Sequence, residues 1–212
     1  MAGWRSWLGR PEPQSERLRR IAGQRWVVLD VETSGLDATR DALLSIGAVA
    51  VRANRIDVDD SFECDVRPPE TSGRANILVH GIGAEAQRAG LPPAQACGAL
   101  IDWAGAAPLV AFHASFDRAV LERTLRDALH RRLDSDWIDL AELAPALNPG
   151  VRAAALDDWL AHFDLTVDER HRAGADAFAT AMLFLRLLAQ VPPIERDLAG
   201  LRRLAQSRRW LG

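Results

Sequence analysis

The sequence is poor in cysteine. Only Cys64 and Cys97 occur in 212 residues, 33 positions apart and with no second cysteine near either. Zinc sites and thiol redox motifs need cysteines a few residues apart, so neither is predicted. We expect both to be packing residues in a reducing compartment.

The sequence also lacks a long uncharged hydrophobic run. No stretch reaches the roughly 18 apolar residues that a membrane-spanning helix needs. Residues 1–14 (MAGWRSWLGRPEPQ) contain no apolar core of a secretory signal. We therefore expect a soluble, cytoplasmic protein with no membrane partner.

Lysine is absent as well, so all 26 basic residues are arginine, and 29 acidic residues bring the net charge to -3. That balance neither indicates nor excludes nucleic acid as a partner. Several arginines cluster near the ends of the chain: Arg17, Arg19, Arg20, Arg202, Arg203, Arg208 and Arg209. They could contact phosphate, but charge runs are more often the solvated faces of terminal helices.

Hydrophobic periodicity predicts an α/β chain in which strands come first and helices dominate the rest. Strands are expected over 25–31, 42–51, 56–66, 109–112 and 137–140, the first three as a meander. Helices are expected over 92–105, from an N-cap at Ser115, and over 156–163, 174–190 and 194–209. Hairpins need antiparallel pairs and a helical crossover permits a parallel one, so we predict a mixed β-sheet flanked by α-helices.

Two carboxylates lie at the end of the first predicted strand. Asp30 and Glu32 flank Val31, so on an extended chain both point to one face while Val31 enters the core. Carboxylate oxygens at a strand end suit a hard divalent cation such as Mg²⁺. An Asp-x-Glu triplet is common, however, and alone it is a weak signal.

Three more polar residues could join this pair. Asp117 lies in the first turn of a helix that follows a strand, although an acid there also complements the helix dipole. His171 and Asp176 would be about 140° apart on one helix, so they converge only if His171 precedes the helix, a boundary that Gly174 permits. Asp176 stands among small apolar residues, where an unpaired carboxylate is costly to bury. His171 is otherwise a surface residue in a charged stretch.

Three segments together resemble the exonuclease motifs of the DEDD superfamily in its histidine-bearing branch (DEDDh): LDVETSGL at 29–36, FHASFD at 112–117 and RHRAGADA at 170–177. This branch includes the proofreading epsilon subunit of bacterial DNA polymerase III, ribonuclease T and oligoribonuclease. The resemblance implies a ribonuclease H-like fold, with an exonuclease domain over 25–190, a polar or helical extension over 1–24 and a C-terminal helix over 191–212.

The resemblance also implies roles for individual residues. Two divalent ions, Mg²⁺ or Mn²⁺, about 4 Å apart would act on the attacking water and on the departing 3' oxygen. The residues carried over as metal ligands are Asp30, Glu32, Asp117 and Asp176. His171 would be the general base, since an imidazole exchanges protons near neutral pH. Thr33 and Leu36 would contact the terminal nucleotide; otherwise they are a turn residue and a core leucine.

The implied activity is 3'-5' hydrolysis of single-stranded nucleic acid, releasing nucleoside 5'-monophosphates. DNA is favoured over RNA, in proofreading or repair, and a DNA polymerase is a candidate partner.

One position departs from the motif: Ala114 stands where many members have asparagine, so an amide that helps to place substrate is missing. His113, at a strand end, is interpreted as a core histidine and kept out of the catalytic set. His80, with the Gly and Ile after it, resembles a segment between the first two motifs.

Three alternative functions remain open. The first is a 3'-5' exoribonuclease that acts on short RNA or RNA tails, since DNA and RNA members share these motifs. The second is a non-catalytic, polymerase-associated module that binds nucleic acid. The third is a metal-dependent phosphodiesterase for a small nucleotide. Oligomeric state is not indicated by the sequence.

Overall fold

The computed structural model describes residues 12–71, 81–167 and 171–207, so the predicted motif residue His80 lies outside the described residues. The strands are β1 Arg25–Thr33, β2 Leu43–Arg52, β3 Arg55–Asp65, β4 Leu109–Ala111 and β5 Trp137–Asp139. The helices are α1 Gln14–Ala22, α2 Ala84–Ala89, α3 Pro93–Ala104, α4 Ala114–Leu129, α5 Leu140–Leu147, α6 Leu156–His162, α7 Ala173–Gln190 and α8 Leu198–Ser207, with a 3-10 turn at Pro193–Glu195. Among these helices, none has the length and hydropathy that crossing a bilayer requires.

The five strands form one mixed sheet in the order β3-β2-β1-β4-β5. β1, β2 and β3 are antiparallel neighbours, whereas β4 and β5 run parallel to β1. The predicted meander and the predicted α/β class with a mixed sheet are therefore confirmed. The sheet places the carboxyl ends of β1, β4 and β5 at one edge, where the motif residues follow.

Helices cover both faces of the sheet. Along β1, Val28 joins a buried cluster with Trp159 and Phe184, which belong to α6 and α7. The alternate residues Val27 and Leu29 join a second buried cluster, which is built with α3 and α4. Because successive side chains of a strand point to opposite faces, one strand anchors both layers. Burial on both sides explains why β1 and β2 are nearly continuous apolar runs.

One strand prediction and two helix predictions were wrong in detail. The predicted last strand ends at Asp139, because the Asp139 carboxylate accepts a hydrogen bond from the Ala141 N–H at 2.9 Å and caps α5, a helix missed from the sequence. The predicted final helix is interrupted before α8, where the Asp197 carboxylate accepts from the Gly200 N–H at 2.8 Å. Finally, α4 begins at Ala114, with His113 rather than Ser115 as its N-cap.

An ion pair at the opposite end of β1 ties three strands together. Both guanidinium nitrogens of Arg25 that face Asp60 donate to its carboxylate, at 2.9 and 2.8 Å, and Arg52 donates to it at 2.7 Å. The Arg25 guanidinium also stacks 4.5 Å from the centroid of the Trp103 ring. These hydrogen bonds hold the pKa of the Asp60 carboxyl well below its usual range, and the bonds from Arg25 have the largest effect.

We expect Asp60→Asn to lower the free energy of unfolding by about 1–3 kcal/mol at pH 7, because it replaces a charged, bidentate acceptor. The folded pKa of Asp60 is depressed, so its stabilisation is present above the unfolded pKa of about 3.9 and is lost as pH falls toward the folded value. Urea unfolding should show the deficit at pH 7 and a smaller one at pH 3. The control is Asp59→Asn, on an exposed acid of the same strand. A deficit that is equal at both pH values would contradict the assignment.

Candidate active site

Three carboxylates converge at the carboxyl end of β1. Asp30 and Glu32 come from β1, and Asp176 comes from the first turn of α7. One ligand oxygen from each lies within 4.8 Å of the other two. The antiparallel register pairs Asp30 with Gly47 of β2. The two-residue spacing therefore places both β1 acids on the face that α7 covers.

A glycine on β2 allows α7 to reach this edge. A Cβ atom added to Gly47 would lie 2.1 Å from the carbonyl carbon of Ala173 and 2.2 Å from the backbone nitrogen of Gly174. The start of α7 therefore rests on the β2 backbone directly beside Asp30. Any other residue at position 47 would push α7 outward and carry Asp176 away from the β1 acids.

We expect Gly47→Ala to destabilise the protein by about 1–3 kcal/mol, as overpacking of a tight contact does, and to weaken binding of Mn²⁺. Thermal unfolding with and without Mn²⁺ measures both effects. Gly98→Ala is the matched control, because a Cβ atom there meets nothing within 4 Å and alanine favours a helix by about 0.5–1 kcal/mol. If Gly47→Ala behaved like Gly98→Ala, the close contact would not position Asp176.

His171 lies in the loop just before α7, in a left-handed backbone conformation with φ of 64°. Its N–H lies 3.3 and 3.2 Å from the two carboxylate oxygens of Asp176, while its side chain is exposed. The helix begins at Ala173. The boundary that the sequence required for His171 and Asp176 to converge is therefore present.

Asp117 approaches the same strand end from α4. Its side chain is 4% exposed, and its Oδ1 accepts a hydrogen bond at 3.1 Å from the N–H of Val31, the residue between Asp30 and Glu32. Burial, more than any other cause, raises the pKa of the Asp117 carboxyl to about 8, while backbone N–H donors oppose this shift. All four predicted acids thus surround the end of β1, but within the described ranges the tight group comprises only Asp30, Glu32 and Asp176.

Asp139, which the sequence analysis missed, lies at the end of β5 and holds the start of α4, the helix that carries Asp117. Its carboxylate accepts hydrogen bonds from the N–H groups of His113, at 3.0 Å, and Ala141, at 2.9 Å. It thereby fixes the start of α4, and its charge contributes to the raised pKa of Asp117. The sequence did contain a signal for this role. Asp139 is followed three residues later by Glu142, and this spacing of a capping residue and a glutamate is typical of a helix N-terminus. His113 is exposed, with φ of 61°, so its interpretation as a core histidine was wrong.

The loop after β1 carries one large hydrophobic side chain, that of Leu36, that is exposed to solvent. Leu36 is 93% exposed, so the alternative that it is a core leucine is wrong. The Thr33 hydroxyl donates to the carbonyl of Gly35 at 2.5 Å and tightens the turn. The Asp41 carboxylate closes the other end of the loop by accepting from the Asp37 N–H at 2.7 Å. Leu36 is thus held out toward solvent, four residues after Glu32.

The donor set fits a divalent cation. Asp30, Glu32 and Asp176 offer carboxylate oxygens, the ligands that Mg²⁺ and Mn²⁺ prefer. Asp176 is only 7% exposed, and burying a carboxylate close to two others is costly. A bound cation offsets both the burial and the mutual repulsion.

We expect Asp30→Asn to raise the melting temperature in chelator by about 2–4 °C, since relieving repulsion of about 1 kcal/mol has that effect in a domain of this size. The same change should abolish the rise that Mn²⁺ gives the wild type. That rise should be on the order of 5–10 °C at a Mn²⁺ concentration 100 times Kd. Differential scanning calorimetry measures both, with Asp59→Asn as control. A variant that retained the full Mn²⁺ shift would show that the ion binds elsewhere.

The fold and the acids at its central strand define a class of protein, an α/β domain with a carboxylate site suited to metal-dependent chemistry. The exonuclease family model matches residues 27–184, and the chain belongs to that family. The DNA polymerase III PolC-type of Oceanobacillus iheyensis is 29% identical over 192 residues, 91% of this chain, and that of Bacillus cereus is 30% identical over 183 residues, 86% of this chain. The chain spans only 13% of the length of each of these relatives.

Solved structures agree with this family. Exonuclease X, in complex with 5' overhanging duplex DNA, is 27% identical, with a TM-score of 0.61 over 78% of this chain and 91% of that one. Exonuclease I of E. coli, with a dA16 oligonucleotide, is 16% identical, with a TM-score of 0.69 over 81% of this chain and 42% of that one. The predicted ribonuclease H-like fold, the DEDD superfamily and the exonuclease class of enzyme are confirmed. The histidine branch stays a prediction.

Proposed function

We propose that this exonuclease removes nucleotides from the 3' end of single-stranded nucleic acid, DNA rather than RNA, in a proofreading or repair role. The observation that carries the proposal is the convergence of Asp30, Glu32 and Asp176 within 4.8 Å at the end of the central strand. The choice of DNA is supported by the names of relatives, which are DNA polymerases, and of neighbours, which are bound to DNA. A DNA polymerase is accordingly the protein partner that we propose.

The four acids would share two divalent ions, Mg²⁺ or Mn²⁺. Asp30, Glu32 and Asp176 form the tight group. Asp117 is held next to the same strand end, because its carboxylate accepts a hydrogen bond from the Val31 N–H. When bound, such ions supply Lewis-acid stabilisation of the charge that develops on the attacking and departing oxygens. The fixed positions of these acids on β1, α4 and α7 orient the scissile phosphate, because rigid elements hold ligands more precisely than loops do.

His171 acts as general base in this proposal. Its exposed imidazole stands on the loop before α7, and the hydrogen bonds from its N–H to Asp176 fix that loop against the carboxylates. The imidazole takes a proton from water as the water oxygen forms a bond to phosphorus. The bond from phosphorus to the 3' oxygen of the preceding nucleotide breaks, and that oxygen takes a proton from solvent. The products are a nucleoside 5'-monophosphate and a strand shortened by one nucleotide.

The loop after β1 would hold the terminal nucleotide. Leu36 is exposed four residues after Glu32, and the flat apolar face of a base would pack against it. The backbone around Thr33, tightened by the bond to Gly35, lies next to Glu32 and would contact the 3'-hydroxyl.

We expect purified protein with Mg²⁺ or Mn²⁺ to convert 5'-labelled single-stranded DNA into a ladder that shortens from the 3' end, more efficiently than matched RNA. Asp30→Asn should abolish the ladder. His171→Gln should lower kcat by about 10²- to 10⁴-fold with little change in KM, the usual contribution of a general base. Denaturing gels of quenched time courses measure these rates, with His162→Gln, on an exposed histidine of α6, as control.

Equal rates for wild type and His171→Gln would remove His171 from the mechanism. Faster digestion of RNA than of DNA would favour the exoribonuclease alternative. A wild type that bound oligonucleotides but cleaved none of them would favour the binding module.

A further inference from the structure

A basic recess lies along the outer side of α4, away from the carboxylate cluster. Its volume is about 700 Å³. Four arginines contribute to its walls: Arg118, Arg126, Arg131 and Arg132. Among the described residues, the acids that line it are Glu122 and Asp134. This lining carries a net charge of +2 (four positive minus two negative), on a chain whose net charge is -3.

The arginines of this recess are exposed, and the ion pairs of Arg118 and Arg126 are with acids of their own helix. Arg118 pairs with Glu122 at 2.7 Å, an exposed pair within one helix that contributes little stability and exchanges readily. Arg131 and Arg132 are exposed, and in the described part of the chain neither forms an ion pair. Guanidinium groups bind phosphate oxygens through two parallel hydrogen bonds, which suits them to a phosphate backbone.

The recess adjoins a second cavity that extends to the carboxyl end of β5 and the start of α4. A neighbouring cavity of about 430 Å³ shares Arg118 and Glu122 with it and extends to Ala114 and Asp139. The Asp139 carboxylate accepts a hydrogen bond from the His113 N–H at the start of α4, the helix that carries Asp117. Since a helix rises 1.5 Å per residue, Arg126 stands about 14 Å along α4 from Asp117. A stacked strand advances about 3.4 Å per nucleotide, so this distance corresponds to about four nucleotides.

We propose that this arginine recess binds backbone phosphates of the strand being digested, about four nucleotides from its 3' end. The inference rests on the proposed exonuclease function, because it places the two sites on one strand. It makes the enzyme sensitive to substrate length: oligonucleotides of three or fewer nucleotides end before Arg126, Arg131 and Arg132, whereas longer ones reach these arginines.

The double variant Arg131→Gln/Arg132→Gln tests this proposal. Its control is Arg55→Gln/Arg88→Gln, which removes the same charge from exposed arginines at the start of β3 and on α2. The recess variant should raise KM for a 12-nucleotide DNA about three- to tenfold, with kcat unchanged and with unchanged hydrolysis of a trinucleotide. The control should match the wild type on both substrates.

Fluorescence anisotropy in an Asp30→Asn background measures binding separately from hydrolysis. There the recess variant should weaken binding of the 12-nucleotide DNA and make the slope of log K against log salt less steep by about 1.4, the value for two phosphate contacts on a single strand. Equal affinities and slopes for the recess and control variants would overturn the proposal, whether or not the wild type is an active exonuclease. If the recess variant lost affinity only for a polyglutamate peptide, the recess would instead be a docking site for an acidic protein.

Discussion

The contact between α7 and Gly47 sets the geometry on which the active site depends. A helix normally packs on a sheet through side chains, which keep the two backbones well apart. Here the missing Cβ of Gly47 lets the first turn of α7 lie on the β2 backbone, opposite Asp30 in the register. Asp176 and the His171 loop are carried in with that turn. The carboxylate cluster is thus a consequence of backbone approach as much as of the acids themselves.

This geometry brings four carboxylates together at a strand end where two of them are shielded from solvent. Asp176 and Asp117 are buried, and burial raises the pKa of Asp117 to about 8. Without a cation the arrangement costs stability, and the rest of the domain offsets the cost. The two apolar clusters fix β1 from both faces, and the ion pairs of Asp60 with Arg25 and Arg52 tie the far end of the meander. Asp30 and Glu32 are therefore presented by a strand that is packed on both faces.

Much of this arrangement could be predicted from the sequence because it follows from local rules. Burial on both faces makes β1 and β2 long apolar runs, and the period of two puts Asp30 and Glu32 on one side. The glycine before Asp176 indicated the helix boundary.

The orientation of Asp117 toward the Val31 N–H could not be predicted, because it depends on how α4 meets β1. Helix α5 was missed because Pro145 lies inside it and its cap, Asp139, looked like the end of a strand. The exposure of Leu36 depends on Asp41, five residues further along the chain.

The central claim is that Asp30, Glu32, Asp117 and Asp176 together hold divalent ions. Anomalous diffraction from crystals of the full chain soaked in Mn²⁺, collected on both sides of the manganese absorption edge, tests it most directly. The account predicts two manganese peaks within about 2–2.5 Å of carboxylate oxygens from these four residues. Strong manganese peaks elsewhere on the chain, with none at the end of β1, would contradict it.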